Sequence, residues 1–150
     1  MNEAALDAVE ALLGRAQAAM QGAGLSVVVE GGNFLLAVAA LPEALEAERA
    51  ARMKALEVAL ALSKLPEETH GPVHLTLAPT LHGDSAMLQM DAQGRPRLGG
   101  GRLLRLSTWT GHHPGRGVVV TEAALEGLGT QVHAEPLRDR AGLWLVTRPH

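Results

Sequence analysis

Apolar residues recur at three- and four-residue steps from the start of the chain. Leu6, Val9, Leu12, Leu13, Ala16 and Met20 line one side of a predicted helix, while Asp7, Glu10, Arg15 and Gln17 fall on its other faces. Asn2 is its predicted N-cap and Gly22 or Gly24 its stop. The period then drops to two. Residues 25–30 make a short valine-rich strand, Gly31-Gly32-Asn33 has the left-handed turn chemistry a hairpin needs, and residues 34–40 return. Pro42 stands where the first position of a helix accepts proline, with Glu43 and Glu46 at the positive end of the dipole and Lys64 near the negative end, so a helix is predicted over 42–63. Its buried stripe is Leu45, Met53, Leu56 and Leu60, and Glu48 and Arg52 form an exposed i,i+4 pair that marks a solvated face.

Further along, Val73, Leu75 and Leu77 alternate with His74, Thr76 and Ala78, which predicts a half-buried strand over 73–78. Residues 85–91 are its predicted neighbour, closed by Ala92-Gln93-Gly94-Arg95. A helical segment over 102–109 follows Gly99-Gly100-Gly101. Then come a strand over 118–120, a short helix capped by Thr121, and two last strands near 131–135 and 143–147. Helices and strands alternate throughout, with no internal repeat and no dividing linker, so residues 1–150 are expected to form a single domain.

Composition narrows the class. With 150 residues, 47% of them hydrophobic and 19% charged, the chain has material for one core. The longest apolar run, Phe34 through Leu41, is far short of the roughly 20 residues that cross a bilayer, so no membrane is expected. The N-terminus has no basic stretch followed by a continuous apolar one, and a cytoplasmic location is the expectation. Cysteine is absent, which removes disulfides, thiol nucleophiles and thiolate metal sites. Phe34, Trp109 and Trp144 are the only aromatic residues, too few for base-stacking platforms, so nucleic acid is not an expected partner.

The segment from Pro114-Gly115-Arg116-Gly117-Val118-Val119-Val120-Thr121 through Gly129, followed by Glu135-Pro136-Leu137, resembles the last third of a class III nucleotide cyclase catalytic domain. That resemblance implies an α+β fold, ferredoxin-like or nucleotide-cyclase-like, with a mixed, mostly antiparallel sheet packed with helices. It also implies that the first strand of the family fold is missing here, leaving the strands over 34–40 and 73–78 to pair directly or to receive another segment between them. Members of the family hold two metal ions with two Asp residues. One lies in that first strand, and the other falls in the turn that reads Gly31-Gly32-Asn33 here. The base-recognising Lys falls on Val28, and the residues that select the base, hold ribose and serve the transition state fall on Gly100, Leu103 and Ser107. Phosphoryl transfer relies on positioning and charge neutralisation, so these replacements lead to the expectation that the chain is not an enzyme, with no catalytic residue, no metal and no cofactor. By analogy the family also implies a homodimer.

One feature stands apart from the resemblance. Between Ala92 and Thr121 there is no acidic residue, while Arg95, Arg97, Arg102, Arg105 and Arg116 carry positive charge in a chain of net charge -3. Gly99, Gly100 and Gly101 lead into a helix that opens on Arg102, with Arg105 one turn on. Free N–H groups and guanidinium groups would there converge on an anion such as a nucleotide or phosphate. The structural alternative is a tight glycine turn beside arginines that balance acidic neighbours. His70 and His74 are separated by Gly71-Pro72, which forbids a shared helical face, and His82, His112 and His113 fall in predicted turns, so these histidines read as scattered surface residues. Three functions are therefore weighed. The first is a non-catalytic cyclase-homology module that regulates signalling through protein contacts, as a homodimer or with another protein. The second is an anion- or nucleotide-binding domain using Gly99–Gly101, Arg102 and Arg105, and the third is a residual cyclase or other enzyme with a rearranged site.

Overall fold

The computed structural model describes residues 3–31, 34–68, 75–82, 88–90, 92–93, 96–98, 113–114, 116–128, 132–137 and 142–147. Helix α1 spans Glu3–Gly22 and buries Leu12, Ala16 and Met20. Its end is set by Gly24, whose φ of 92° is accessible to glycine at little cost. Leu25 N donates to Met20 O and Gly24 N to Gln21 O, both at 3.0 Å, so the last carbonyls are satisfied in the pattern of a Schellman cap. Of the two expected stops, Gly24 is the one used.

Strand β1 (Ser26–Glu30) pairs antiparallel with β2 (Leu35–Val38). The register slips between Val27 and Val29, so Val28 is a bulge. Without it, residues two apart would share a face; with it, Val27 and Glu30 both turn toward the helices. Val27 packs against the cluster of Ala16, Met20 and Leu62, and Gln17 Nε2 donates to Glu30 Oε1 at 2.9 Å.

Helix α2 covers Leu45–Lys64, not 42–63. Ala44 is its N-cap, extended at φ -67° and ψ 128° with no side-chain cap, so Pro42 precedes the helix instead of opening it. Leu45 is consequently 61% exposed, whereas Leu56, Ala59, Leu60 and Leu62 are buried. A 3-10 turn over Leu65–Glu68 continues α2. Beyond it, β3 is Thr80–Leu81, and the described part of the expected strand over 73–78 is not in a strand. Pro79 accounts for part of the shift: it has no N–H to give a ladder, yet its carbonyl accepts from Val119 N at 3.0 Å.

Strands β4 (Leu88–Met90) and β5 (Pro96–Leu98) form an antiparallel pair. β6 (Val118–Thr121) leads into α3 (Glu122–Leu128), followed by β7 (Glu135–Pro136) and β8 (Leu143–Val146). The sheet order is β3-β6-β8-β7, with β3 parallel to β6 and the other pairs antiparallel. Every residue of β6 is buried, which is why it reads as an unbroken apolar run and not as an alternation. One face of this sheet, with Val118, Val120 and Val146, packs on Leu56, Ala59 and Leu60 of α2 and on Ala124 and Leu128 of α3. The expected α+β architecture, helices packed on a mixed and mostly antiparallel sheet, is the one observed.

Candidate functional site

Among the described residues, two places bear on the expected site: the β1–β2 hairpin turn, and the ends of the parallel pair β3–β6. At the turn, Gly31 N donates to Phe34 O at 2.8 Å. A Cβ at Gly31 would collide with Phe34 Cε1, so the ring rests directly on the glycine backbone. Phe34 is itself 40% exposed. Gly32 and Asn33, where the resemblance places a metal carboxylate, lie outside the described residues. Among the described residues, no group of three or more His, Asp or Glu comes together. Val28 occupies the bulge and is half-buried, so the position that resemblance assigns to a base-recognising Lys is the one residue of β1 displaced from the ladder.

At the parallel pair, two histidines hold β3. His82 Nδ1 lies 2.7 Å from Thr121 Oγ1, across the ends of β3 and β6. Thr121, 6% exposed, is the buried polar residue of the described core, so its hydroxyl requires a partner, and His82 provides it. The hydroxyl expected to cap the short helix is thus engaged across the sheet. His113 Nε2 lies 3.0 Å from Pro79 O. A carbonyl only accepts, so His113 carries its proton on Nε2. Both rings are half-buried. The expectation of scattered surface histidines is corrected for this pair, which fastens a two-residue strand at both ends. No spacing in the sequence signals it, since 39 and 34 residues separate the partners.

Gly99, Gly100, Gly101, Arg102 and Arg105 lie outside the described residues, as do Leu103 and Ser107, His70 and His74. Of the basic segment, the structure places His113 against β3 and leaves Arg116 exposed. The glycine between Arg116 and the β6 strand has a structural role. Gly117 has φ 64°, and a Cβ there would meet Val146 O at 2.6 Å.

The arrangement defines the class of fold first: that of the class III nucleotide cyclase catalytic domain. Over its whole length the chain is similar to the catalytic core of a rhodopsin-guanylyl cyclase with converted specificity in complex with ATPαS. The TM-score is 0.72 and the identity 13%, covering 100% of this chain and 86% of that one. It is similar to the guanylate cyclase domain of RhGC from Catenaria anguillulae in complex with GTP, with TM-score 0.64, 13% identity, and 99% and 86% of the two chains covered. The guanylyl cyclase Cya2 gives TM-score 0.62 at 15% identity, over 97% of this chain and 82% of that one. No protein-family model matches the chain. No curated protein matches it either.

These likenesses correct one expectation. The chain was expected not to be an enzyme, because residues aligned with the family's catalytic positions are replaced. The structures it matches are guanylyl cyclase domains, among them one catalytic core, and the whole chain shares their fold. Replacement of individual residues therefore gives no support for calling it inactive, and its activity is a question for assay. No described helix is long and apolar enough to cross a membrane.

Proposed function

We propose that this chain is a nucleotide-binding domain of the nucleotide cyclase fold that takes a purine nucleoside triphosphate. The observation that carries the reading is likeness over the full chain to domains solved with ATPαS and with GTP. The sequence adds a segment without acidic residues, in which Gly99, Gly100, Gly101, Arg102 and Arg105 would receive the phosphates through N–H groups and guanidinium groups. In this reading the domain works in regulation as a homodimer.

A thermal-shift panel of ATP, GTP, cyclic nucleotides and sulfate, with and without Mn²⁺, tests it. The expected result is a rise in Tm with ATP or GTP at concentrations where sulfate gives none, and loss of that rise in Arg102→Ala and Arg105→Ala. No shift with any nucleotide would reject the binding. An unchanged shift in both variants would move the site elsewhere. The same samples, assayed for cyclic nucleotide against a no-protein control, decide whether binding leads to cyclisation. Sedimentation velocity over a concentration series tests the dimer, and a monomer throughout would remove it.

A further inference from the structure

Three consecutive residues at the β6–α3 junction each bond to a different part of the fold. Thr121 Oγ1 lies 2.7 Å from Nδ1 of His82, the residue directly after β3. Glu122 N donates at 2.9 Å to the carbonyl of Gly142, the residue directly before β8. Ala123 O accepts from Arg52 Nη1 of α2 at 3.4 Å. No loop separates strand from helix, since β6 ends at Thr121 and α3 begins at Glu122, so all three contacts share one short stretch of backbone.

Arg52 is held in place for its contact. Its Nε donates to Glu48 Oε1 at 3.1 Å, and the two side chains are 17% and 30% exposed, so the pair is half-buried and not on the solvated face that its spacing predicted. One guanidinium therefore bonds within α2 through one nitrogen and across to α3 through another, a fork that lysine could not supply. Helix α3 needs the support. Seven residues are too few for a helix to stand alone, so α3 depends on its buried Ala124 and Leu128 and on contacts of this kind. Strand β3 is weaker still, with two residues, and His82 fastens its C-terminal end.

We infer that residues 121–123 are a clasp through which Arg52 of α2 holds the C-terminal end of β3. The coupling is geometric. A hydrogen bond tolerates only a few tenths of an ångström around its preferred length of about 2.9 Å. Once Arg52 lets go, the first turn of α3 can move off α2, and Thr121, which adjoins it, is drawn out of reach of His82. The end of β3 then opens while β6 and β8 stay paired. The half-exposed ion pair on α2 is thus a handle on a buried contact in the sheet. This inference does not depend on nucleotide binding.

The test is residue-resolved amide hydrogen exchange on the full chain carrying Arg52→Met, which keeps helix propensity and an aliphatic stem but removes the donors. The amides of Leu81 and Glu122 are expected to exchange about tenfold faster, as suits the loss of a hydrogen bond from a charged group. Leu25 and Gly31, whose N–H groups bond Met20 O and Phe34 O away from the junction, should keep their rates. Glu48→Ala, at the more exposed end of the pair, should give the same pattern at about twofold, in line with the strength of an i,i+4 pair, and it decides if Arg52→Met does not fold. A faster Glu122 with Leu81 unchanged would overturn the inference, because the contacts would then be independent. Equal acceleration at all four amides would also overturn it, since that is a loss of global stability and not the release of a clasp. So would four unchanged rates.

Discussion

Gly117 and Gly31 are both glycines where a side chain would collide, but they differ in what stands in the way. At Gly117 the obstacle is the Val146 carbonyl, part of the β6–β8 ladder, and φ is 64°. At Gly31 it is the Phe34 ring, which can rotate toward solvent. Gly117→Ala is therefore expected to cost roughly 2 kcal/mol or more in urea denaturation, and Gly31→Ala clearly less, because only the first combines left-handed strain with a fixed backbone neighbour. Thr121→Val is a second test at this scale. It keeps the shape and the strand propensity but removes the hydroxyl that meets His82, and a loss of about 1 kcal/mol is expected in the same measurement. An unchanged midpoint would mean that the His82–Thr121 contact contributes nothing to holding β3.

Helix α2 is the element that organises the chain, because it packs against both groups of strands. Its start is weak. Ala44 offers no side-chain oxygen to the free N–H groups of the first turn, and only the backbone bond from Glu48 N to Ala44 O, 2.8 Å, closes it. Ala44→Asp should add about 1 kcal/mol by capping and by favourable charge at the positive end of the dipole, read as a higher urea midpoint. The middle of the helix carries more energy. Leu56 is fully buried, and Leu56→Ala should cost about 2–5 kcal/mol, whereas Leu45→Ala, at an exposed position, should stay within about 0.5 kcal/mol. Equal effects at the two positions would contradict the packing described. Periodicity identified Met53, Leu56 and Leu60 correctly and included Leu45 wrongly, because the pattern of apolar residues continues past the point where there is anything to pack against.

For the whole molecule, the proposed binding of a nucleoside triphosphate would be linked to stability. A ligand at a hundred times its Kd should stabilise the fold by about 2.7 kcal/mol, so the GTP or ATP shift should grow with the logarithm of concentration. A shift of that form that vanishes in Arg102→Ala would tie the phosphates to the glycine-arginine segment. A shift that sulfate reproduces would reduce the site to a general anion effect.

Much of this protein was written locally. The 3.6-residue period of α1 and α2, the turn glycines at 24 and 31, and the valine run of β6 each act over a few residues, so elements and their order could be read from the chain. The motif from Pro114 to Gly129 also carried the fold, because Gly117 and Val118–Val120 answer to constraints within one strand and its neighbour. What only the tertiary structure decided were long-range pairings: His82 with Thr121, His113 with Pro79, the bulge that turns Glu30 toward Gln17, and β3 shifted beyond Pro79. Each depends on which segments come to lie side by side, and one sequence holds no signal for contacts between residues dozens of positions apart.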